Sequence, residues 1–496
     1  MKVIFRRLAE NMQRDYGRII IVFLLAWLIF ASLVIGQMYG RQPGWMLVIL
    51  CLLPLVVLEF AVSLILRLAY GSEYIYSLVN YFLVDHPVYG NCFRKNCFAK
   101  KTNFLIFDKF VFQKGSGRID DIERNREARV DFNVNSLGFR GGEFLPHQRR
   151  GKLRIFCLGG STTACDCNDD HEAWPAQLEQ CLDAQGYNVE VVNAGVQGWY
   201  SYQDLLRFKQ EICSYHPDIV LLHQGWNEEF EYTSLSLGTR WKPRVARNVR
   251  EEHNLYCAPN RFLSSTAILS FYMAMQAFSK GFVFIPNMKF TNPDRWEALQ
   301  RNEYILAWFD NLIDIARCAK SQGVLLYTID YPGLVSIEDT VKNRDFYVEN
   351  SRLTPLYADY QAVSKKKISR TLREAGKIIS CLNAEEDFIQ YEADRRLPLF
   401  LDEIHLSPEG NAILAQAICE KLISDTSFQR KYGHPEERFF NVFLDGAQIE
   451  KVRQRLSRNA RYVDDFIENK IDKLRYSGGP RAIQRLEVPE DRYTTF

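Results

Sequence analysis

Leu153-Arg154-Ile155-Phe156-Cys157-Leu158-Gly159-Gly160-Ser161-Thr162-Thr163 is a short apolar run that ends in two glycines and a hydroxyl cluster. The run is strand-like, and the glycines let the chain turn tightly into a following helix. A serine at such a turn sits at the carboxyl edge of a parallel sheet, where open α/β folds place their sites. Taken alone, the turn is equally compatible with anion binding or a plain helix cap. Three further runs repeat the pattern downstream, at Val189–Asn193, Asp218–Leu222 and Gly323–Ile329, with a weaker one at Ile378–Cys381. Between them lie stretches of helical length at His171–Gln185, Gln203–Tyr215, Arg301–Ser321 and Asp359–Glu374, and a last one follows at Pro408–Ile423. Near-continuous apolar strands alternating with helices predict a parallel sheet covered on both faces.

Three other segments belong to the same edge. Asn193-Ala194-Gly195-Val196-Gln197-Gly198 follows the second strand, and Gly195 is placed to offer its N–H to an oxyanion or only to serve the turn. Gly225-Trp226-Asn227-Glu228 follows the third strand. The Asn227 amide can donate to the same oxyanion or cap the next helix. Leu401-Asp402-Glu403-Ile404-His405 places an acid three residues before a histidine, just ahead of the final helix. Asp402 can orient and charge-stabilise His405, which then acts as base toward Ser161. His171, His216 and His223 read as structural, because His405 already has its acid.

In order and content these four segments resemble the SGNH (GDSL-like) hydrolase family. The resemblance covers roughly residues 150–425. It implies a three-layer α/β/α, flavodoxin-like sheet with Ser161 as nucleophile and Asp402 and His405 completing the triad. It also implies Gly195, Asn227 and the Ser161 amide as oxyanion donors, and neither metal nor organic cofactor. Asn135-Ser136-Leu137-Gly138-Phe139-Arg140 is similar to a segment that often precedes the domain in membrane-tethered members. Gly160 replaces the aspartate of Gly-Asp-Ser, Glu228 replaces an aspartate, and Trp226 is bulky for its place.

The remaining sequence frames this domain. Two apolar runs, 19–36 and 44–66, predict an N-terminal membrane anchor, since each is near the roughly 17–25 residues that span a bilayer. Pro54 and Glu59 interrupt the second. Lys2, Arg6, Arg7, Arg14 and Arg18 place the N-terminus in the cytoplasm. The catalytic domain is then cytoplasmic if both runs span and extracytoplasmic if only one does. Residues 68–150 read as a connecting subdomain, 151–425 as the hydrolase domain with an insertion at 232–299, and 426–496 as a charged, helical, peripheral tail. The net charge of +2 gives no reason to expect nucleic acid as a partner. The 12 cysteines show no zinc-type spacing and do not settle the redox compartment.

The function implied is a membrane-anchored serine esterase acting on a lipid or acylated-glycan ester. Transfer of an acyl group to a glycan is the alternative, and an inactive scaffold in a membrane complex is a third.

Overall fold

The computed structural model describes residues 83–102 except Pro87, 130–146, 151–228 and 293–476 with short breaks at 301–302, 337–338, 340, 351–352, 354 and 459–460. The two N-terminal apolar runs and most of the 232–299 insertion lie outside the described residues. Among the described residues no helix is long and apolar enough to cross a membrane.

Two antiparallel pairs come first. Strand β1 (Leu83–His86) pairs with β2 (Gly90–Phe93), and β3 (Cys97–Thr102) with β4 (Val130–Val134). The central sheet is five-stranded and parallel: β5 (Leu153–Gly159), β6 (Val189–Asn193), β7 (Ile219–His223), β8 (Leu325–Ile329) and β9 (Ser380–Leu382). Its spatial order is β6-β5-β7-β8-β9, the flavodoxin-like winding. The chain leaves β5 to one side for β6 and returns to the other for β7. The crevice outside the end of β5 is therefore the topological switch point, the usual place for a site.

Every residue of β5, β7 and β8 is buried, as continuous apolar runs between two helical layers require. Arg154 on β5 is the charged exception. Its Nε lies 2.7 Å from Glu190, and its other nitrogens donate to the carbonyls of Leu145, Pro146 and Tyr215. A buried charge so fully paired is tolerated, whereas an unpaired one is not.

The helices around this sheet are α1 (Ser161–Ala164), α2 (Trp174–Ala184), α3 (Ser201–Gln210), α4 (Pro293–Gln300), α5 (Glu303–Gln322), α6 (Val341–Asn350) and α7 (Pro355–Ala375). They continue with α8 (Glu386–Ile389), α9 (Ala393–Arg396), α10 (Pro408–Ser424), α11 (Thr426–Gly433), α12 (Gly446–Ser457) and α13 (Arg461–Tyr476). Helix α2 packs on α10, and α3 on α5. Two expected helices are split. A 3-10 turn at Asp170–Glu172 precedes α2, whose Pro175 suits a first turn, and a second 3-10 turn at Ile212–Tyr215 follows α3. Helix α6 is not anticipated by the sequence because its apolar residues form no regular stripe.

Two flanking regions are more integral than their composition suggests. Residues 426–457 are not peripheral: Phe428, Val442, Val452 and Leu456 are buried in the core, and Asn441 Oδ1 accepts from the amide of Leu326 on β8 at 2.8 Å. Sparse apolar residues in a charged stretch still form one continuous buried face. Residues 130–146, part of the expected connecting subdomain, add to the sheet's edge, where the Arg140 amide donates to the Asn193 carbonyl at 3.2 Å.

Candidate active site

Ser161 is the first residue of α1, directly beyond β5 and the Gly160 cap. The Gly160 carbonyl accepts from the amides of Thr163 and Ala164, which closes the turn. The amides of Ser161 and Thr162, as the first of the helix, have no acceptor within it. The sequence therefore delivers one hydroxyl and two N–H groups without an acceptor inside the helix to the sheet's carboxyl edge.

The segment carrying Asp402 and His405 is a tight loop. Phe400 bridges to Leu406, and the Leu401 amide donates to the His405 carbonyl at 2.7 Å. Within it, Asp402 Oδ1 accepts from the amides of Ile404 (2.8 Å) and His405 (2.6 Å), leaving Oδ2 for the ring. His405 Nδ1 stands 2.5 Å from Asp402 Oδ2, and Nε2 stands 2.8 Å from Ser161 Oγ. A proton on Nδ1 shared with the carboxylate leaves the Nε2 lone pair facing the serine hydroxyl. These three residues, far apart in sequence, are thus joined in one continuous hydrogen-bonded chain. The side chain of Asp402 is 10% exposed and that of His405 23%, so substrate can reach the ring while its acid stays shielded.

The Asn227 side chain closes on the same point. Its Nδ2 donates to the Trp199 carbonyl at 2.7 Å, which leaves the second hydrogen of the amide uncommitted among the described residues. A Cβ added to Gly160 would lie 2.6 Å from Asn227 Nδ2 and 3.0 Å from the Trp199 carbonyl oxygen. Gly160, Asn227 and the Gly198-Trp199 turn therefore meet beside Ser161, and only glycine fits between them. Gly160→Ala is expected to displace the Asn227 amide and lower kcat at least about tenfold, with little loss of Tm; ester hydrolysis and a thermal melt measured together check this.

Gly195 is placed differently from expectation. Its amide donates to Asn193 Oδ1 at 3.0 Å, and a Cβ there would meet the Ala164 nitrogen at 2.4 Å. The residue serves close packing of the turn against α1, and its N–H is already used. Gly198, at φ 75° in the same turn, is the glycine whose amide has no acceptor among the described residues. The two glycines lie three residues apart in one turn, and spacing alone does not tell which amide is spent internally.

Behind the site lies a set of buried polar side chains, of which the sequence drew attention only to Glu228 and to the segment that ends in Arg140. Arg140 donates to the carbonyls of Ala164, Cys165 and Asn168 and pairs with Asp170 at 3.1 Å, so it clamps the loop that follows the serine helix. Asp204 on α3 accepts from Gln224 Nε2 at 2.5 Å, and Gln224 also reaches the Trp199 carbonyl that holds Asn227. Glu228 Oε1 accepts from the Ser201 amide at 2.6 Å, at the start of α3. The longer side chain that replaces an aspartate here thus caps a helix. Asp166 is buried near both His405 and Asp402; burial pushes its carboxyl up, and the His405 charge counters that.

Burial pushes Glu228 up to about 8, with the neighbouring Asp204 adding to the shift, and pushes Asp204 up to about 7. The fold therefore holds protons on groups that the unfolded chain, near its ordinary 4.5 for glutamate, has already released. Stability must fall as pH rises through that window up to the folded value. Glu228→Gln removes one of these protons from the balance and keeps an acceptor for Ser201. Its Tm is expected to fall less steeply than wild type as the pH is raised from 5 to 8; parallel slopes would contradict this.

His223 lies beside the site. It is fully buried, stacks on Tyr331 with centroids 4.8 Å apart, and is held neutral, its pKa lowered to about 3 by burial and by the Lys365 charge. With Tyr331, Thr162, Gly225 and Trp226 it lines a narrow pocket at Ser161 with room, among the described residues, for roughly one water molecule. Asp169, His171 and Glu172 are the described residues whose ligand-type atoms come within 4.8 Å of one another. Asp169 already accepts from the amide of Asp131 on β4, and Glu172 from the amide of Asp169 at the start of the turn.

A flavodoxin-like sheet with a hydrogen-bonded Ser-His-Asp chain at its switch point defines a hydrolase of the α/β class. The chain belongs to the GDSL-like Lipase/Acylhydrolase family, whose model matches residues 155–418, more than half of its length. The activity that comes with this membership is, in general terms, ester hydrolysis. Among solved structures, the chain is similar to a GDSL-like lipase from Bacteroides thetaiotaomicron at 16% identity, covering 56% of this chain and 91% of that one, with a TM-score of 0.28. It is similar to an acetylxylan esterase from Geobacillus stearothermophilus at 12% identity, covering 54% and 93%, TM-score 0.29. A lipase/acylhydrolase from Enterococcus faecalis matches at 14% identity, covering 54% and 94%, TM-score 0.30. No match was found among curated proteins.

Proposed function

We propose that this chain is a membrane-anchored serine esterase whose triad is Ser161, His405 and Asp402. The observation that carries the reading is the unbroken run of contacts from Asp402 Oδ2 through the His405 ring to Ser161 Oγ, 2.5 and 2.8 Å. Ser161 Oγ attacks the ester carbonyl while His405 Nε2 takes its proton, and Asp402 stabilises the imidazolium that results. The tetrahedral oxyanion is held by the amides of Ser161 and Gly198 and by the spare hydrogen of Asn227 Nδ2. His405 returns its proton to the leaving alcohol, and the alcohol departs from an acyl-Ser161. Water, deprotonated by His405, then releases the acid and restores the serine.

The anchor rests on the apolar runs 19–36 and 44–66, and it directs the activity to esters of lipids or of membrane-linked glycans. With both runs spanning, the hydrolase domain lies in the cytoplasm. A periplasm-restricted reporter fused after residue 100 should then be silent, and its activity would overturn the two-span arrangement.

The test of the chemistry is release of acid from short-chain and long-chain esters by the membrane fraction, with and without added glycan acceptors. Acid release that disappears in Ser161→Ala is the expected result. Acyl glycan formed in place of free acid would assign the protein to transfer, and release unchanged by the substitution would refute the reading.

A further inference from the structure

The strongest side-chain pair outside the site is made of two thiols. Cys213 lies in the 3-10 turn between α3 and β7, and Cys318 on the last third of α5. Their sulfurs are 3.7 Å apart, and both residues are only partly buried. They come from neighbouring crossovers: α3 leads into β7 and α5 leads into β8, and the two helices pack against each other. No other sulfur pair approaches this closely among the described hydrogen-bond contacts. Cys157 and Cys165, by contrast, are fully buried, and burial raises their thiols.

We propose that Cys213 and Cys318 form a dithiol that closes into an intramolecular disulfide on exchange with a small-molecule disulfide such as oxidised glutathione. A non-bonded sulfur separation of 3.7 Å needs a shift of under two ångströms to reach the roughly 2.05 Å of an S–S bond. Cys318 is the first attacker. The contact with Cys213 is the largest influence favouring its thiolate; burial opposes it, and the charge of Lys209 favours it further. The Cys318 thiolate attacks one sulfur of oxidised glutathione, forms a mixed disulfide and releases one glutathione thiolate. Cys213 gives up its proton and attacks the Cys318 sulfur, and the second glutathione leaves. Overall the protein loses two electrons and two protons, and one oxidised glutathione becomes two reduced ones.

The bond would tie the two crossovers on one face of the sheet, at the strand ends opposite Ser161. Its consequence is therefore stability, with the contacts at Ser161 untouched. Closing so long a loop constrains the unfolded chain strongly, so Tm is expected to rise by about 5 °C.

The test is equilibration of the full-length folded protein with oxidised glutathione, followed by alkylation under denaturing conditions, proteolysis without reductant and mass spectrometry. The expected result is a cross-linked pair of peptides containing Cys213 and Cys318, 2 Da lighter than their sum. The rise in Tm should be reversed by dithiothreitol. Cys213→Ser should instead carry glutathione on Cys318 and show no such rise. Recovery of both cysteines from wild type as alkylated thiols, or as separate glutathione adducts, would overturn the proposal. The wild-type measurement decides the matter even if a variant folds poorly.

Discussion

Replacing His405 with alanine is expected to lower kcat for ester hydrolysis by about 10⁴-fold or more, with KM little changed. Among the described residues the ring is the group in contact with both Ser161 Oγ (2.8 Å) and Asp402 Oδ2 (2.5 Å), so its loss leaves the hydroxyl without a base and the carboxylate without a ring to orient. Asp402→Asn should cost nearly as much. An amide in place of Oδ2 stabilises the wrong tautomer and turns the Nε2 lone pair away from the serine. The contacts of the His405 ring are polar ones with Ser161 and Asp402 at the edge of the sheet, so the thermal melt should move far less than kcat. A large fall in Tm alongside the fall in kcat would mean that the histidine holds the fold. Steady-state kinetics and a melt on the same preparation separate the two.

Asn227→Ala is expected to reduce kcat by about 10²–10³-fold, again with little effect on KM. The amide is held in advance by its bond to the Trp199 carbonyl at 2.7 Å and is wedged against Gly160, so it needs no reorganisation when charge develops on the substrate oxygen. A donor used mainly in the transition state shows in kcat; a donor that merely binds the ester would show in KM. Equal losses in both variants of a Gly160→Ala and Asn227→Ala pair, without further loss in the double variant, would place both residues in one device.

The fold was readable because the strands that build the sheet are buried on both faces. Ile155 to Leu158, and Val220 to Leu222, have no polar alternation to confuse with a surface strand. The meeting of Ser161, His405 and Asp402 was readable for a different reason. Each of its members sits where a strand ends or a helix begins, so the order of the segments constrained the geometry before any distance was known. What stayed hidden depended on tertiary contact. Nothing in Asn193-Ala194-Gly195-Val196-Gln197-Gly198 reveals that the Asn193 side chain captures the nearer glycine amide and not the farther one. The clamp of Arg140 on carbonyls more than twenty residues away was hidden in the same way, although its segment had been noticed. The integration of residues 426–457 was masked by their charge, since four or five apolar side chains suffice to bury one face of a short helix or turn.

The most direct measurement is labelling of the membrane fraction with a fluorophosphonate probe, comparing wild type with Ser161→Ala. Such a probe phosphonylates only a serine whose proton is taken by a base as the oxygen attacks. The arrangement of Ser161, His405 and Asp402 predicts a single labelled band at the mass of the chain in wild type and none in the variant. A folded wild-type protein that stays unlabelled, or a Ser161→Ala variant that labels as strongly as wild type, would contradict it.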